Sequence, residues 1–243
     1  MGFIPIFFTL AFFPQLIHLA AALIPPIWLL WYIYRKDKVE PEPASLLAAL
    51  FFSGILSALL AILLETAGEW LLSLIPFTSD TAFIIAVAVM VGISEELAKF
   101  LLLKRRSWRD PNFNFKFDAI VYAVFVSLGF AAIENVGYVF ESGLATALMR
   151  AVTSIPGHMA FSVYMGIFYG RARLCENYGD HAGTSRNLRL AVISAAFFHA
   201  FYDACAMLGS DLSLTVFLVF VVLLFIMTFR LIRHEAANDH PIV

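Results

Sequence analysis

The sequence predicts an all-α polytopic membrane protein, a helical bundle of about seven transmembrane helices. Of its 243 residues, 61% are hydrophobic and only 14% are charged, and the mean hydropathy is +0.85. Several apolar runs approach or exceed the ~20 residues that an α-helix needs to cross a bilayer. The short alternating segments typical of a membrane β-barrel are not found in the sequence. This composition excludes a soluble globular protein, and no stretch indicates a nucleic-acid-binding surface.

Seven spans account for the apolar runs and predict a single integral-membrane domain over residues 1–243. The spans are predicted at about 12–34, 44–64, 82–103, 117–140, 151–169, 190–208 and 212–231. Two dipeptides that contain proline predict irregular backbone: Pro25-Pro26 would kink or interrupt the first span, and Pro156-Gly157 would break the fifth near its start. The apolar stretch Phe3–Phe13 is too short to span alone, which leaves a re-entrant or interfacial segment open. We expect a polar loop at 171–189.

The distribution of Lys and Arg predicts the orientation of these spans. Basic residues are concentrated in alternate connections, with three in 35–43, five in 104–116, four in 171–189 and at least one in the C-terminal tail. The intervening connections hold none, apart from Arg150 in 141–150. Because basic loops stay on the cytoplasmic side, the N-terminus is predicted to lie outside and the C-terminus in the cytoplasm.

Two adjacent carboxylates and a lysine, Glu95, Glu96 and Lys99, interrupt the third span, Ala82–Leu103. On an insertion scale these three charges cost ~8 kcal/mol, whereas the twelve Leu, Ile, Phe and Val residues of the span return about 4–7 kcal/mol. This helix therefore needs partners that satisfy its charges. Ionisable residues inside a membrane indicate a functional site by default.

Ionisable residues also fall at depth in three other spans. Counted at ~1.5 Å per residue from the cytoplasmic ends, Glu95 and Glu96 lie about 12–14 Å deep and His199 about 15 Å. His158 and Asp203 lie at about 20 Å, and Glu134-Asn135 at about 25 Å. Since facing lipid is costly for such residues, we expect them to face one another or a shared wet cavity.

The residue types suggest a role for each member of this set. Adjacent acids repel, so Glu95 or Glu96 could act as a general base or acid. Lys99, four residues after Glu95, could neutralise a carboxylate. His199 and Asp203 share a helix face, as a histidine and its orienting carboxylate would.

The other members complete the candidate site. His158 follows Pro156-Gly157, where irregular backbone can line a cavity. Glu134 is interpreted as functional or organising, and Asn135 as a hydrogen-bonding bridge between helices. Three further acids at span ends are interpreted as solvated: Glu65, Glu69 and Glu141.

Two chemistries fit these residues, and the sequence leaves both open. Glu95 or Glu96 could activate a water that attacks a carbonyl, with His158 or His199 polarising the oxygen or protonating the leaving amine. Alternatively, zinc could be held by His158, His199 and Glu96, although the chain has no HExxH motif. Two non-proteolytic alternatives are a membrane scaffold or immunity-type protein with a polar core, and a proton or ion transporter.

The order of these motifs resembles the PrsW family of intramembrane proteases. The resemblance rests on Glu95-Glu96-x-x-Lys99, Phe117-Asp118, Tyr122, the run Leu128 to Asn135, His158, His199-x-x-x-Asp203 and the connector Tyr34 to Pro43. It extends from about Tyr32 to Asp203. Ala119, Ala123 and Ser127 stand where we expect the family to favour glycine.

The resemblance implies a function that composition and spacing do not. It places the chain in a larger group that includes the CAAX-prenyl proteases and bacteriocin-immunity proteins, classed as metalloproteases or glutamate-dependent proteases. It implies a bacterial inner membrane location, stress signalling, and cleavage of a single-pass membrane protein of the anti-sigma-factor type. Carried over, Glu95 and Glu96 are the catalytic acids, and His199 and His158 complete the site.

Overall fold

The structure, a computed structural model, describes the backbone of residues 3–242 and the side chains of residues 14–242. Over this range the chain is an all-α bundle, as predicted. Its helices are α1 Phe3–Tyr34, α2 Ala44–Ser73, α3 Asp80–Ser107, α4 Asp118–Ser142, α5 Leu144–Val152, α6 Ser154–Asn177, α7 His181–Met207 and α8 Asp211–Ala237. Six are long and apolar enough to cross a membrane: α1 from Pro14, α2, α3, α4, α7 and α8.

Several predicted boundaries are corrected by the structure. The helices run past the apolar runs at their ends, so the predicted polar loop at 171–189 is helical except between Asn177 and His181. The helix α1 continues through Pro25-Pro26 without interruption, and Phe3–Phe13 belongs to it rather than to a separate segment. Hydropathy marks where a helix is buried in lipid, whereas hydrogen bonding extends it into the aqueous phase on either side.

The break before His158 lies earlier than predicted. The short helix α5 ends at Val152, and Thr153, with φ −120° and ψ −75°, separates it from α6. Pro156 lies in the first turn of α6, where proline is tolerated because its missing N–H would have no intrahelical partner. Proline and glycine therefore begin this helix and do not interrupt it.

The helix α4 forms the centre of the bundle. Every residue from Asp118 to Ala132 is buried, and α1, α2 and α6 pack around it. The helix α6, which falls outside the six most apolar spans, is also enclosed, with a continuous buried run from Gly157 to Val163. A helix surrounded by protein does not need the hydropathy of one that faces lipid, which explains how α6 can carry polar groups at depth.

Glycines set the closest contacts of α4. Ala119, Ala123 and Ser127, which stand where glycine was expected, are all buried. At the start of α4, glycines on α6 permit the close approach of the two helices. A Cβ added at Gly166 would come within 2.6 Å of the Ile120 Cα, and one at Gly170 within 3.1 Å of the Ala119 Cβ. The departure at Ala119 is thus accommodated by glycines of the partner helix.

Replacing Gly54 by alanine is expected to destabilise the bundle. A Cβ at this position of α2 would overlap the backbone carbonyl oxygen of Val126 on α4, so the two helices must separate. Overpacking of this kind costs about 1–3 kcal/mol. Melting of the purified protein in detergent measures the effect. Gly137→Ala is the matched control, since no atom lies within 4 Å of its added Cβ, and equal melting temperatures for the two variants would contradict the prediction.

The four basic regions lie at one end of the bundle, as the predicted alternation requires. Asn114 Nδ2 donates to Glu40 Oε2 at 2.9 Å, which joins the loop before α4 to the α1–α2 connector. Lys116 Nζ pairs with Glu235 Oε2 at 2.7 Å, and Asn177 Nδ2 donates to the carbonyl oxygen of Ile242. That this end faces the cytoplasm remains a prediction from the positive-inside rule.

Two buried carboxyl groups of the α1–α2 connector make this end of the bundle sensitive to pH. The Tyr122 hydroxyl donates to Glu42 Oε1 at 2.7 Å, and the Glu42 backbone N–H donates to Asp37 Oδ2 at 3.3 Å. Burial raises the pKa of Glu42 to about 7 and that of Asp37 to about 6, and the two carboxylates also repel each other. Both groups therefore bind protons more tightly in the folded state than in the unfolded state.

We expect the melting temperature to fall as the pH rises from about 5 to about 8. A raised folded-state pKa gives stability that is present below the unfolded pKa and is lost as the pH rises through the folded pKa. Glu42→Gln should flatten this dependence and raise the melting temperature at pH 8 relative to the wild type. Melting curves at several pH values test this, with Glu40→Gln on the same connector as the control. A steeper decline in Glu42→Gln would contradict it.

Candidate active site

The helix α3 supplies the centre of the polar cluster. Helical spacing places Lys99 one turn after both acids, and its Nζ donates to Glu95 Oε2 at 3.0 Å and to Glu96 Oε1 at 2.8 Å. Glu96 is 0% exposed and Lys99 is 1% exposed. The lysine thus neutralises charge on both carboxylates, which extends the predicted contact with Glu95 alone.

His158 on α6 accepts a third hydrogen bond from the Lys99 ammonium group. Lys99 Nζ lies 3.1 Å from His158 Nδ1, and His158 Nε2 lies 2.9 Å from Glu134 Oε2 on α4. Because an ammonium can only donate, Nδ1 accepts from it and the ring N–H is on Nε2, directed at Glu134. Ser127 Oγ donates to the His158 backbone carbonyl at 2.9 Å and ties this turn of α6 to α4.

His199 on α7 reaches the cluster from the other side. Its Nδ1 lies 2.9 Å from Glu96 Oε1, and its Nε2 lies 3.4 Å from Asp203 Oδ2, one turn along the same helix. Gly92 permits this approach, since a Cβ there would come within 2.8 Å of the Ala200 backbone nitrogen. With a carboxylate beside each ring nitrogen, His199 can donate from both only as an imidazolium.

Arg150 completes the cluster from α5. Its Nη2 donates to Glu134 Oε2 at 2.7 Å and its Nε donates to Asn135 Oδ1 at 2.9 Å. Asn135 also donates from Nδ2 to the Ala22 carbonyl oxygen at 2.9 Å, so it bridges α4 to α1 and α5. From the sequence, Arg150 is predicted to lie in the 141–150 connection. It is the lone basic residue in the connections that the positive-inside rule places outside, and this exception could have indicated a role for it in the site.

An inner cavity of about 310 Å³ opens onto these side chains. Its polar wall includes Glu95, His158, His199 and Asp203, and it extends past Arg150 and Thr153 towards the end of the bundle that holds α5. Glu95 lines this cavity, whereas Glu96 does not and lies behind it, bonded to Lys99 and His199. The structure therefore gives the two adjacent acids different surroundings, which the sequence could not distinguish.

The eight predicted site residues thus lie in one connected network. Side-chain contacts of 3.4 Å or less join Glu95, Glu96, Lys99, Glu134, His158, His199 and Asp203, and Arg150 links Asn135 to this group through Glu134. Glu65, interpreted from the sequence as solvated, instead lines a cleft beside Glu95 and Glu134.

Comparison with known proteins decides the family. Residues 42–230 match the family described as PrsW family intramembrane metalloprotease. The chain belongs to the PrsW family. It is therefore an intramembrane protease and a multi-pass protein of the bacterial cell membrane. The six apolar helices found among the described residues agree with this.

Individual PrsW proteases match along most of their length. The protein is 33% identical to Protease PrsW of Oceanobacillus iheyensis over 93% of this chain and 98% of that relative. It is 30% identical to Protease PrsW of Clostridioides difficile, over 84% of each chain. Protease PrsW of Bacillus subtilis is 28% identical over 76% of this chain and 80% of its own. No solved structure matches the chain.

The PrsW site has the donors that a metal ion requires. One ligand atom from each of Glu95, Glu96, His158 and His199 lies within 4.8 Å of the other three, and all four residues are buried. Imidazole nitrogens and carboxylate oxygens are ordinary zinc ligands. Glu96 Oε2 is buried without a hydrogen-bond partner among the described residues, so it is free to bind a cation. These residues fit a metal, although Lys99 now bonds three of the four.

Proposed function

We propose that this protein hydrolyses a peptide bond of a membrane protein with a water activated by Glu95. The observation that carries the proposal is the position of Glu95, which lines the inner cavity while its carboxylate is fixed by Lys99. A general base must be accessible to water and held in place, and Glu96 meets only the second condition. In the reaction without a metal, Glu96 orients His199 and Lys99.

The proposed reaction uses the residues that line the inner cavity. Glu95 takes a proton from water as the water oxygen bonds to the scissile carbonyl carbon, which gives a tetrahedral intermediate. In the reaction without a metal, His199 acts as an imidazolium. Glu96 accepts from its Nδ1–H, and its Nε2–H, which lies 3.4 Å from Asp203, turns to donate to the developing oxyanion. When the C–N bond breaks, the proton held by Glu95 passes to the leaving amine. A carboxylic acid and an amine result.

We further propose that Glu96, His158 and His199 are the residues that hold zinc in this site. Three protein ligands with one open position are typical of catalytic zinc, and a bound ion would lower the pKa of its water and polarise the carbonyl. His199 would then be neutral, and the ion would stabilise the oxyanion in place of an imidazolium, while Glu95, the fourth donor of the cluster, would remain free to act as the base. For the zinc to bind, Lys99 must release Glu96 and His158.

We infer that the substrate is a single-pass membrane protein of the anti-sigma-factor type, and that the chain shares the larger CAAX-protease and bacteriocin-immunity group. Both inferences come from the family resemblance and not from the geometry. A transporter is less well supported. Between the cluster and the basic end lie packed apolar and aromatic side chains, among them Phe100, Leu103, Phe113 and Tyr169.

Reconstitution tests the proposal. Purified protein would be placed in liposomes with a single-pass anti-sigma factor, and the products analysed by mass spectrometry. Two fragments with new termini inside the membrane segment are expected from the wild type. The control is His199→Ala, which should give no fragments while remaining folded. If the wild type gives none and His199→Ala only lowers the melting temperature, the cluster is a structural core and the scaffold interpretation is preferred.

A further inference from the structure

A second space, which we call the lateral cleft, reaches the same site from the lipid side. It has a volume of about 320 Å³ and lies between α2, α3 and α4. Its walls include Ala58, Ala61, Ile62 and Glu65 of α2, together with Ile133 and Tyr138 of α4. Three of these side chains are turned partly towards the surrounding membrane: Ile62 is 56% exposed, Ile133 41% and Tyr138 44%.

The packing of α2 on α4 explains why the cleft opens where it does. The two helices touch backbone to backbone at Gly54 and Gly129, where an added Cβ would overlap the opposite chain. The cleft begins at Ala58, one turn further along α2, and continues to Glu65. The helices α2 and α4 are in contact at the glycines and separate beyond them. This separation leaves a lateral passage in the half of the bundle away from the basic end.

The lateral cleft and the inner cavity meet at the proposed base. Glu95 and Glu134 line both spaces. The inner cavity provides the polar groups and extends towards the end that holds α5, whereas the cleft is walled mainly by apolar side chains and opens sideways. A membrane-spanning peptide and water could therefore reach Glu95 by separate paths.

Glu65 differs from the other acids of the cleft in its lack of a cationic partner among the described side chains. Glu95 is paired with Lys99, and Glu134 with Arg150 and His158. Glu65 is half-buried in the cleft wall and makes no hydrogen bond or salt bridge with any residue whose side chain the structure describes. A carboxylate without a partner at the edge of an apolar passage favours an occupant that brings a positive charge.

We propose that the lateral cleft binds the membrane-spanning segment of the substrate and that Glu65 selects a lysine or arginine in it. Glu65 and Glu95 line the same cleft, so the selected base would lie near the scissile bond in the sequence of the substrate, on the side away from the basic end of the bundle. The proposal rests on the proposed peptidase function.

The first experiment measures substrate preference. The anti-sigma-factor segment would carry lysine, glutamine or glutamate in turn at each position close to its cleavage site on that side. The wild type is expected to cleave the lysine form with kcat/KM about tenfold higher than the glutamate form, and Glu65→Lys to reverse the order. Glu69→Gln, an exposed acid one turn further along α2, is the matched control and should keep the wild-type preference. The same preference in wild type and Glu65→Lys would overturn the proposal.

The second experiment measures binding without cleavage. A photocrosslinking amino acid at Ile62 is expected to capture the lysine-containing segment in a Glu95→Gln background. The same group at Phe197, a lipid-exposed site on α7, is expected not to do so. Cleavage by the wild type without capture at Ile62 would overturn the docking site and leave the peptidase function standing. If capture at Ile62 depends on the lysine but the wild-type protein cleaves no substrate, the docking site is supported and the peptidase function is rejected.

Discussion

Glu95→Gln is expected to lower the cleavage rate by about 10²–10⁴-fold, the usual contribution of a general base. Glutamine has the shape of glutamate, and its amide oxygen can still accept the hydrogen bond from Lys99. It cannot take a proton from water. The effect should therefore appear in kcat, with little change in KM or in the elution and melting of the purified protein.

The same substitution at two nearby acids, Glu69 and Glu96, shows whether the loss of cleavage is specific to Glu95. Glu69→Gln changes an exposed acid at the end of α2 and should leave cleavage unaffected. Glu96→Gln is expected to reduce kcat as well, because its carboxylate positions His199 and Lys99. Glu95→Gln protein that cleaves within about threefold of the wild-type rate would rule out Glu95 as the base.

Removal of metal is expected to abolish activity in the wild type. If Glu96, His158 and His199 hold zinc, purified protein should contain one zinc ion per chain and should lose both zinc and cleavage in phenanthroline. Zinc added back should restore both. Metal content by mass spectrometry, measured beside activity, checks this. Full cleavage by metal-free protein would instead leave Glu95-activated water acting alone.

Lys99 should control how tightly the metal binds. Its ammonium bonds Glu95, Glu96 and His158, so it competes with a cation for three of the four donors. We expect Lys99→Met to raise zinc affinity by about tenfold or more, because the charge that repels the ion is removed. Lys99→Arg retains the charge and is the control. Equal zinc affinity in all three proteins would show that the lysine does not compete.

The sequence determined the helical membrane fold and most of the site because membrane insertion is a local property. Apolar runs long enough to span, and basic residues in alternate connections, are visible residue by residue. The cost of ionisable groups in lipid then requires Glu95, Glu96, His158 and His199 to find partners, and the structure places them together. The same local signals misplaced helix ends, since hydrogen bonding continues α6 and α7 beyond the apolar stretch.

Only the tertiary structure decided how the site is arranged. Glu95 and Glu96 are adjacent in sequence, but the packing of α7 at Gly92 buries Glu96 against His199 and leaves Glu95 on the cavity. Arg150 and Glu65 lie near chain connections in the sequence and become wall residues only because α5 and α2 fold beside α4. Contacts between residues far apart in the chain depend on helix packing, which hydropathy and spacing do not encode.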